Sequence, residues 1–175
     1  MLSPAGCLVA DPPLYEEPPP TPPVFDLTRA NPIPGHVIVI DTTGTDAMRS
    51  LTVTVPFRSD DKGREIFAAL HIDYYTERWS YTEESERFPP STFDDLSRNI
   101  TLEWQFNREL PLPGCHTLTL LATHEQYWDL GEARPNIVTA RDDTAAVTWW
   151  LNVDPPEDAP YTLRDCPAPG STVPP

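Results

Sequence analysis

Apolar and polar side chains alternate in short runs between residues 36 and 154, and this period is typical of half-buried β-strands. In residues 50–57, for example, Leu51, Val53 and Val55 alternate with threonines. The same pattern predicts strands at 36–41, 65–75, 99–106, 115–124 and 145–153, with a minor strand at 132–138. No stretch is long and amphipathic enough to supply the crossover helices of an α/β fold. The chain is therefore predicted to be all-β, with a single antiparallel sandwich of about seven strands.

One segment of this region does not alternate. Residues 82–99 are rich in charged and hydroxyl side chains, and they contain a pair of prolines. Within them, residues 91–96 predict one helical turn of the kind found between the strands of a sandwich.

The prolines divide the chain into a middle and two arms. Ten of the 23 prolines lie in residues 1–35 and seven lie in 155–175. Because proline has no backbone donor and a fixed φ, both ends are predicted to be disordered, polyproline-like arms. The expected organisation is a tether at 7–35, a β-sandwich domain at 36–154 and a C-terminal tail at 155–175.

The formal net charge of −15 and the pI of about 4.4 exclude most nucleic-acid-binding functions, which need clustered lysine and arginine. Lys62 is the only lysine in the chain. No apolar run reaches the roughly 20 residues of a transmembrane helix. Membrane attachment would therefore have to be covalent or through a partner.

Residues 4–7, with the sequence PAGC, resemble the lipobox that ends the signal peptides of bacterial lipoproteins. The match is at Ala5, Gly6 and Cys7, and the chain departs from the motif at Pro4. The resemblance implies that Cys7 is the lipidated N-terminus of the mature protein and that residues 1–6 are a signal-peptide remnant. Six residues cannot hold a complete signal peptide, so this interpretation requires an upstream start. The alternative is a chance match, with Cys7 a free thiol in a disordered arm.

If the lipobox resemblance holds, the protein is expected in the bacterial cell envelope, anchored in a membrane through Cys7. Leu8 favours the outer membrane, because the aspartate that often signals inner-membrane retention is absent after the cysteine.

The other two cysteines, Cys115 and Cys166, are predicted to form a disulfide. If strands 115–123 and 145–153 are antiparallel neighbours, the second ends beside Cys115, and the residues after it can return Cys166 to the same end. Closing a loop of about 50 residues would stabilise the fold by roughly 4 kcal/mol. The alternative is two unpaired thiols in a cytosolic protein.

The sequence PGCHTLTLLATH at 113–124 resembles the penultimate strand of bacterial immunoglobulin-like and fibronectin type III-like domains, and AVTWWLNV at 146–153 resembles the strand that follows. Trp104 departs from the position of the core tryptophan in immunoglobulin domains. The resemblance implies an immunoglobulin-like sandwich in which 65–75, 115–123 and 145–153 share a sheet.

The outward side chains of those three strands would form one patch, which we interpret as a partner-binding face made of Phe67, His71, Tyr75, Leu121 and Trp150. In the alternative interpretation, the arms or residues 76–98 cover this face within the chain.

Motifs for catalysis are absent from the sequence. Residues 124–128, HEQYW, begin like the zinc motif H-E-x-x-H but have tryptophan in place of the second histidine. The acidic pairs at 60–61, 94–95 and 142–143 are expected to be solvated turn residues, because their spacing is not that of a calcium loop. There is no G-x-S-x-G sequence and no phosphate-binding glycine loop. We therefore expect no metal and no cofactor.

These observations predict a non-catalytic, membrane-anchored envelope lipoprotein whose sandwich acts as a binding or structural module. Its expected partners are the membrane, through the lipid at Cys7, and another envelope protein. The alternative is an accessory subunit of an envelope enzyme that binds calcium or polysaccharide.

Overall fold

A computed structural model of the chain describes residues 21–43, 47–60, 63–74, 80–92, 97–106, 113–124, 128–129, 137–138 and 143–155. These residues form ten strands and one short 3₁₀ turn at Leu27–Arg29. The strands are β1 (Val24–Phe25), β2 (Val37–Ile40), β3 (Ser50–Arg58), β4 (Ile66–Ile72), β5 (Ser80–Phe88), β6 (Ser97–Gln105), β7 (Gly114–His124), β8 (Trp128–Asp129), β9 (Ile137–Val138) and β10 (Thr144–Val153).

The strands form two main sheets and a small ribbon. One sheet has three strands in the order β1-β3-β6, and the other has five in the order β2-β10-β7-β4-β5. Strands β8 and β9 form the ribbon. All neighbours are antiparallel except β2 and β10, which run parallel. The prediction of an all-β fold is confirmed, and so is the prediction that β4, β7 and β10 are neighbours in one sheet.

The core lies between the two main sheets. On β3 and β6 every second side chain points inward and is buried, whereas the intervening threonines and Glu103 are partly or fully exposed. The five-stranded sheet contributes the apolar side chains of β4, β7 and β10 that face the same layer. Trp104 and Trp149 are the largest fully buried side chains in the described residues. At about 25 cal/mol per Å² and roughly 200 Å² per ring, each contributes up to about 5 kcal/mol of burial free energy.

The domain begins earlier than the predicted boundary at residue 36. Strand β1 pairs with β3, and the backbone of Asn31 exchanges hydrogen bonds of 2.8 and 2.7 Å with Thr54. The indole N–H of Trp149 donates to the carbonyl of Pro32 at 2.8 Å. The assignment of residues 24–35 to a disordered tether is therefore wrong. Proline has no backbone N–H to donate to a neighbouring strand. It is therefore tolerated at the edge of a sheet, where such a hydrogen bond is not needed.

The strand count also differs from the prediction of about seven. Strands β1, β5 and β8 were not predicted, and β5 occupies the first part, 82–88, of the segment that did not show alternation. It pairs with β4 across a register shift between Ala69 and His71. Residues 93–96 of the predicted helical turn lie outside the described residues, and so do 132–136 of the predicted minor strand. The predicted arms at 1–20 and 156–175 also lie outside them.

Candidate functional site

The predicted partner-binding residues that the structure describes lie on one face of the five-stranded sheet. Residues opposite each other in an antiparallel pair share a face. The opposite pairs here are Phe67 and Thr123, Ala69 and Leu121, His71 and Thr119, and Thr117 and Trp150. We call this the outer face, because it points away from the three-stranded sheet. Tyr75, the fifth predicted residue, lies outside the described residues.

The expected exposure of this face is wrong for three of the residues. Phe67 is 8% exposed, Leu121 is 1% exposed and His71 is 0% exposed. Phe67 and Leu121 form a second apolar cluster with Ala69, and Tyr74 packs against it. Strand β4 is buried on both faces along its whole length, so the same chain covers this part of the outer face. Trp150 is half-buried and remains accessible in part.

The centre of the outer face is polar but uncharged at neutral pH. Burial lowers the pKa of His71 to about 4, because the imidazolium loses its hydration there. The ring of His71 lies 5.0 Å from that of Tyr74 between centroids. The hydroxyls of Thr119 and Thr148 are 3.0 Å apart. These neutral groups fit a packed interior layer better than a site for charged ligands.

A histidine–carboxylate pair lies where β4 ends. Asp73 directly follows β4 with a φ of 51°, and its Oδ2 lies 2.6 Å from Nδ1 of His116. Its Oδ1 accepts a hydrogen bond of 2.8 Å from the backbone N–H of Thr117. Desolvation raises the pKa of Asp73, but the hydrogen bonds from His116 and Thr117 outweigh it and hold the pKa below its ordinary value.

A second histidine–carboxylate pair lies at the other end of β7. Nδ1 of His124 is 2.5 Å from Oδ2 of Asp143, and each side chain is 1% exposed. The hydroxyl of Thr123 donates to the carbonyl of Asp143 at 2.6 Å. The expectation that Asp143 is a solvated turn residue is therefore wrong. This pair joins the end of β7 to the residue before β10.

Both histidine–carboxylate pairs connect β7 to a residue beside a neighbouring strand. A carboxylate that accepts from a histidine can orient the ring for proton transfer. Among the described residues, no group of three histidine, cysteine or acidic side chains is arranged to hold a metal ion. Sequence reasoning missed both pairs because the partners lie 43 and 19 residues apart.

Accessible apolar side chains are instead found on one side of the sandwich. The exposed large hydrophobic side chains of the described residues are Val24 at 63%, Leu27 at 42% and Ile33 at 57%. Val24 is the first residue of β1, Leu27 and Ile33 lie between β1 and β2, and β1 contacts β10, the neighbour of β2. We call this side the N-terminal edge and define it by Val24, Leu27, Ile33 and β2. Trp150 adjoins it, because the register places Trp150 beside Val37.

The cysteines are described in part. Cys115 is disulfide-bonded, and it lies opposite Asn152 near the end of β10. Cys7 and Cys166 lie outside the described residues.

Comparison of the chain with protein-family models and with curated proteins finds no match. Within the described part of the chain, no helix is long and apolar enough to cross a membrane.

Proposed function

We propose that the protein is a non-catalytic lipoprotein of the bacterial cell envelope, held in the outer membrane by a lipid on Cys7. Its sandwich is a binding or structural module that contacts another envelope protein. The observation that carries this proposal is the disulfide at Cys115. Disulfides persist in oxidising compartments and are rare in the cytosol, so the bond supports an extracytoplasmic location.

Cys166 is the partner that the topology favours for Cys115. Strand β10 ends at Val153, which lies opposite Gly114 in the register. The chain therefore leaves the sheet beside Cys115, and Cys166 follows 12 residues after Asp154 in the sequence. This pairing leaves Cys7 as the one cysteine available for lipidation, as its position after Ala5 and Gly6 suggests.

The strand order supports an immunoglobulin-like sandwich. In such domains one sheet contains strands A, B and E, and the other contains C, F and G. Strands β1, β3 and β6 fit the first set. Strands β4, β7 and β10 fit the second, and β5 extends it.

The tether between the anchor and the domain is shorter than the sequence alone predicts. The domain begins at Val24, so 16 residues separate it from Cys7. At about 3.1 Å per residue, a polyproline-like segment of that length reaches roughly 50 Å. The N-terminal edge contains β1, the first strand after the tether in the sequence.

Intact-protein mass spectrometry tests this proposal. The protein is expressed from its native gene with the upstream region, and its mass is measured with and without reductant. We expect a triacylated chain that begins at Cys7 and gains about 2 Da on reduction. Cys166→Ser should abolish the gain, whereas Cys7→Ser should abolish only the acylation. An unmodified chain that begins at Met1 would contradict the anchor, and a gain that survives in Cys166→Ser would contradict the disulfide pairing.

A further inference from the structure

Three apolar side chains of β2 and β10 lie together on the outer face. Trp150 of β10 lies beside Val37 in the parallel register, and Val39 is the next residue of β2 on the same face. The alternate residues belong to the other side of the sheet, because Leu151 is part of the core and Ile38 packs against it. We call Val37, Val39 and Trp150 the outer strip. All three side chains are half-buried.

A disulfide lies next to the outer strip. Cys115 is disulfide-bonded and lies opposite Asn152, which is on the outer face two residues after Trp150. Opposite residues of an antiparallel pair share a face, so the sulfur of Cys115 also points outward. The cysteine bonded to it must therefore approach from the outer face. The other two cysteines of the chain are Cys7 and Cys166, and both lie in its proline-rich ends.

Burial on the outer face of β10 increases toward the disulfide. The outward side chains of this strand, from its start to its end, are those of Ala146, Thr148, Trp150 and Asn152. Ala146 is exposed, Thr148 and Trp150 are half-buried, and Asn152 is only 8% exposed although it is polar. The most covered part of the outer face of β10 is thus the end beside Cys115.

The chain leaves β10 on one side of this strand and must return on the other. The N–H of Asp154 donates to the carbonyl of Ile40 at 2.8 Å, and the Asp154 carboxylate accepts from the N–H and the hydroxyl of Thr42, both at 2.7 Å. Asp154 is thus fixed to the end of β2, whereas Cys115 is on β7, and β10 lies between these strands. Two strand spacings, about 10 Å, separate β2 from β7. A segment that runs from Asp154 to a cysteine bonded to Cys115 has to cross β10.

We propose that residues 156–165 lie across the outer strip as a strap, held at one end by Asp154 and at the other by a disulfide between Cys115 and Cys166. This inference rests on the disulfide pairing proposed above. Cys166 follows 12 residues after Asp154, and a chain of that length extends to about 40 Å, well beyond the distance to be crossed. The strap is therefore long enough to pass over Trp150 before it returns to Cys115.

The composition of the strap fits the outer strip. It contains Pro156, Pro160, Tyr161 and Leu163. Extended proline-rich segments bind aromatic surfaces well, because the polyproline backbone loses little conformational entropy when it binds. The tyrosine and the leucine add apolar area that can cover the valines of β2. The outer strip is thus a binding surface for an extended proline-rich segment, and its occupant is the end of the same chain. Another envelope protein can bind there only by displacing the strap.

Paramagnetic relaxation in NMR spectra of the full chain tests the strap. The Cys7→Ser chain, which cannot be acylated at this residue, is studied with a soluble gadolinium chelate that reports the solvent access of each proton. Tyr161→Ser/Leu163→Ser removes two apolar side chains and should weaken docking of the strap at least about tenfold. Relaxation of the Trp150 indole and of the valine methyl groups of the outer strip should then rise at least about twofold.

The matched control is Leu14→Ser/Tyr15→Ser, which makes the same two changes in the N-terminal arm. It should leave the relaxation of the outer strip unchanged. The indole of Trp149 is fully buried in the core, so it should stay protected in every variant that is folded. The proposal is overturned if the strap variant leaves the outer strip as protected as in the parent chain. It is also overturned if the control exposes the outer strip to the same extent.

Mass spectrometry separates the strap from the disulfide. The Cys7→Ser chain should gain about 2 Da on reduction, and so should its Tyr161→Ser/Leu163→Ser variant, because those substitutions release the strap without breaking the bond. A Cys7→Ser chain that gains no mass would contradict the disulfide pairing, and the strap with it. If the gain is present and the outer strip does not respond, the strap alone is wrong. Neither readout depends on lipidation, so the anchor at Cys7 is tested separately.

Discussion

Nδ1 of His116 lies 2.6 Å from Oδ2 of Asp73, and this contact joins β7 to the residue that ends β4. At the opposite end of β7, His124 makes the corresponding contact with Asp143 next to β10. The central strand of the five-stranded sheet is thus tied to both of its neighbours by buried histidine–carboxylate pairs. Since buried charged groups cost much free energy when they lose their partner, each pair should be visible in stability measurements.

Asp73→Asn should destabilise the protein by about 2 kcal/mol at pH 7, because a charge-assisted hydrogen bond is replaced by a neutral contact. Asparagine tolerates the positive φ at this position, so the substitution tests the charge and not the backbone. The measurement is urea-induced unfolding. Asp60→Asn is the control, because the Asp60 carboxylate is exposed and paired only with Arg58 among the described residues; it should change stability by less than about 0.5 kcal/mol.

The same substitution should change the response to acid. The pKa of Asp73 is lowered in the folded state, so its contribution to stability is complete above the unfolded value near 3.8 and is lost as pH falls through the folded pKa. Below pH 4 the parent protein should therefore lose stability more steeply than Asp73→Asn. Identical acid profiles for the two proteins would contradict the role assigned to this carboxylate.

His71 should make the protein sensitive to pH in a higher range. Its pKa is lowered by burial from 6.5 to about 4, so the unfolded chain binds a proton that the folded chain does not. Stability is complete above pH 6.5 and falls as pH drops toward 4, by up to about 1.4 kcal/mol per pH unit. The test is the free energy of unfolding between pH 7 and 4.5.

His71→Gln should flatten that slope, whereas His36→Gln should leave it unchanged because His36 is exposed. A slope that persists in His71→Gln would show that another group titrates in this range and that His71 is not the cause.

The His124–Asp143 pair should show strong coupling in a double-mutant cycle. His124→Ala alone leaves a buried carboxylate without this partner and should cost about 3–5 kcal/mol. Adding Asp143→Ala should then cost little more, because no charge remains to be desolvated. The measured coupling should exceed about 1.5 kcal/mol. Additive losses in the two single variants and the double variant would contradict a paired role.

Strands with clear alternation could be predicted from the sequence, and the others could not. Strands β3, β6 and β10 each bury every second residue along most of their length, and the apolar pattern shows this directly. Strand β1 is two residues long and follows prolines, so it has too few side chains to show a period. Strand β5 is an edge strand with many charged side chains, so its sequence shows no apolar alternation. It can be recognised as a strand only from its pairing with β4.

The candidate site was less predictable than the fold. The sequence placed Phe67, His71, Leu121 and Trp150 on one face correctly, because alternation determines faces. Whether that face is open depends on packing by distant parts of the chain, which alternation does not report. The apolar segment at 65–75 gave one hint, since a strand buried on both faces reads as nearly continuous apolar sequence. The place of β2 at the end of its sheet could be known only once its pairing with β10 was known.

The two adjacent tryptophans of β10 provide a final test, because they point to opposite faces. Trp149 is fully buried and its indole N–H donates to the carbonyl of Pro32, whereas Trp150 is half-buried on the outer face. Trp149→Phe removes the donor and leaves a gap in the core, so it should cost about 2–3 kcal/mol. Trp150→Phe should cost less than about 1 kcal/mol, since part of its ring already contacts water.

The local consequence can be measured by amide hydrogen exchange. The N–H of Asn31 donates to the carbonyl of Thr54 at 2.8 Å. Asn31 directly precedes Pro32, whose carbonyl accepts the hydrogen bond from the Trp149 indole. Its exchange should accelerate in Trp149→Phe relative to amides in the middle of β3, and it should not do so in Trp150→Phe. Equal effects of the two variants at Asn31 would mean that residues 24–35 are held by β3 alone.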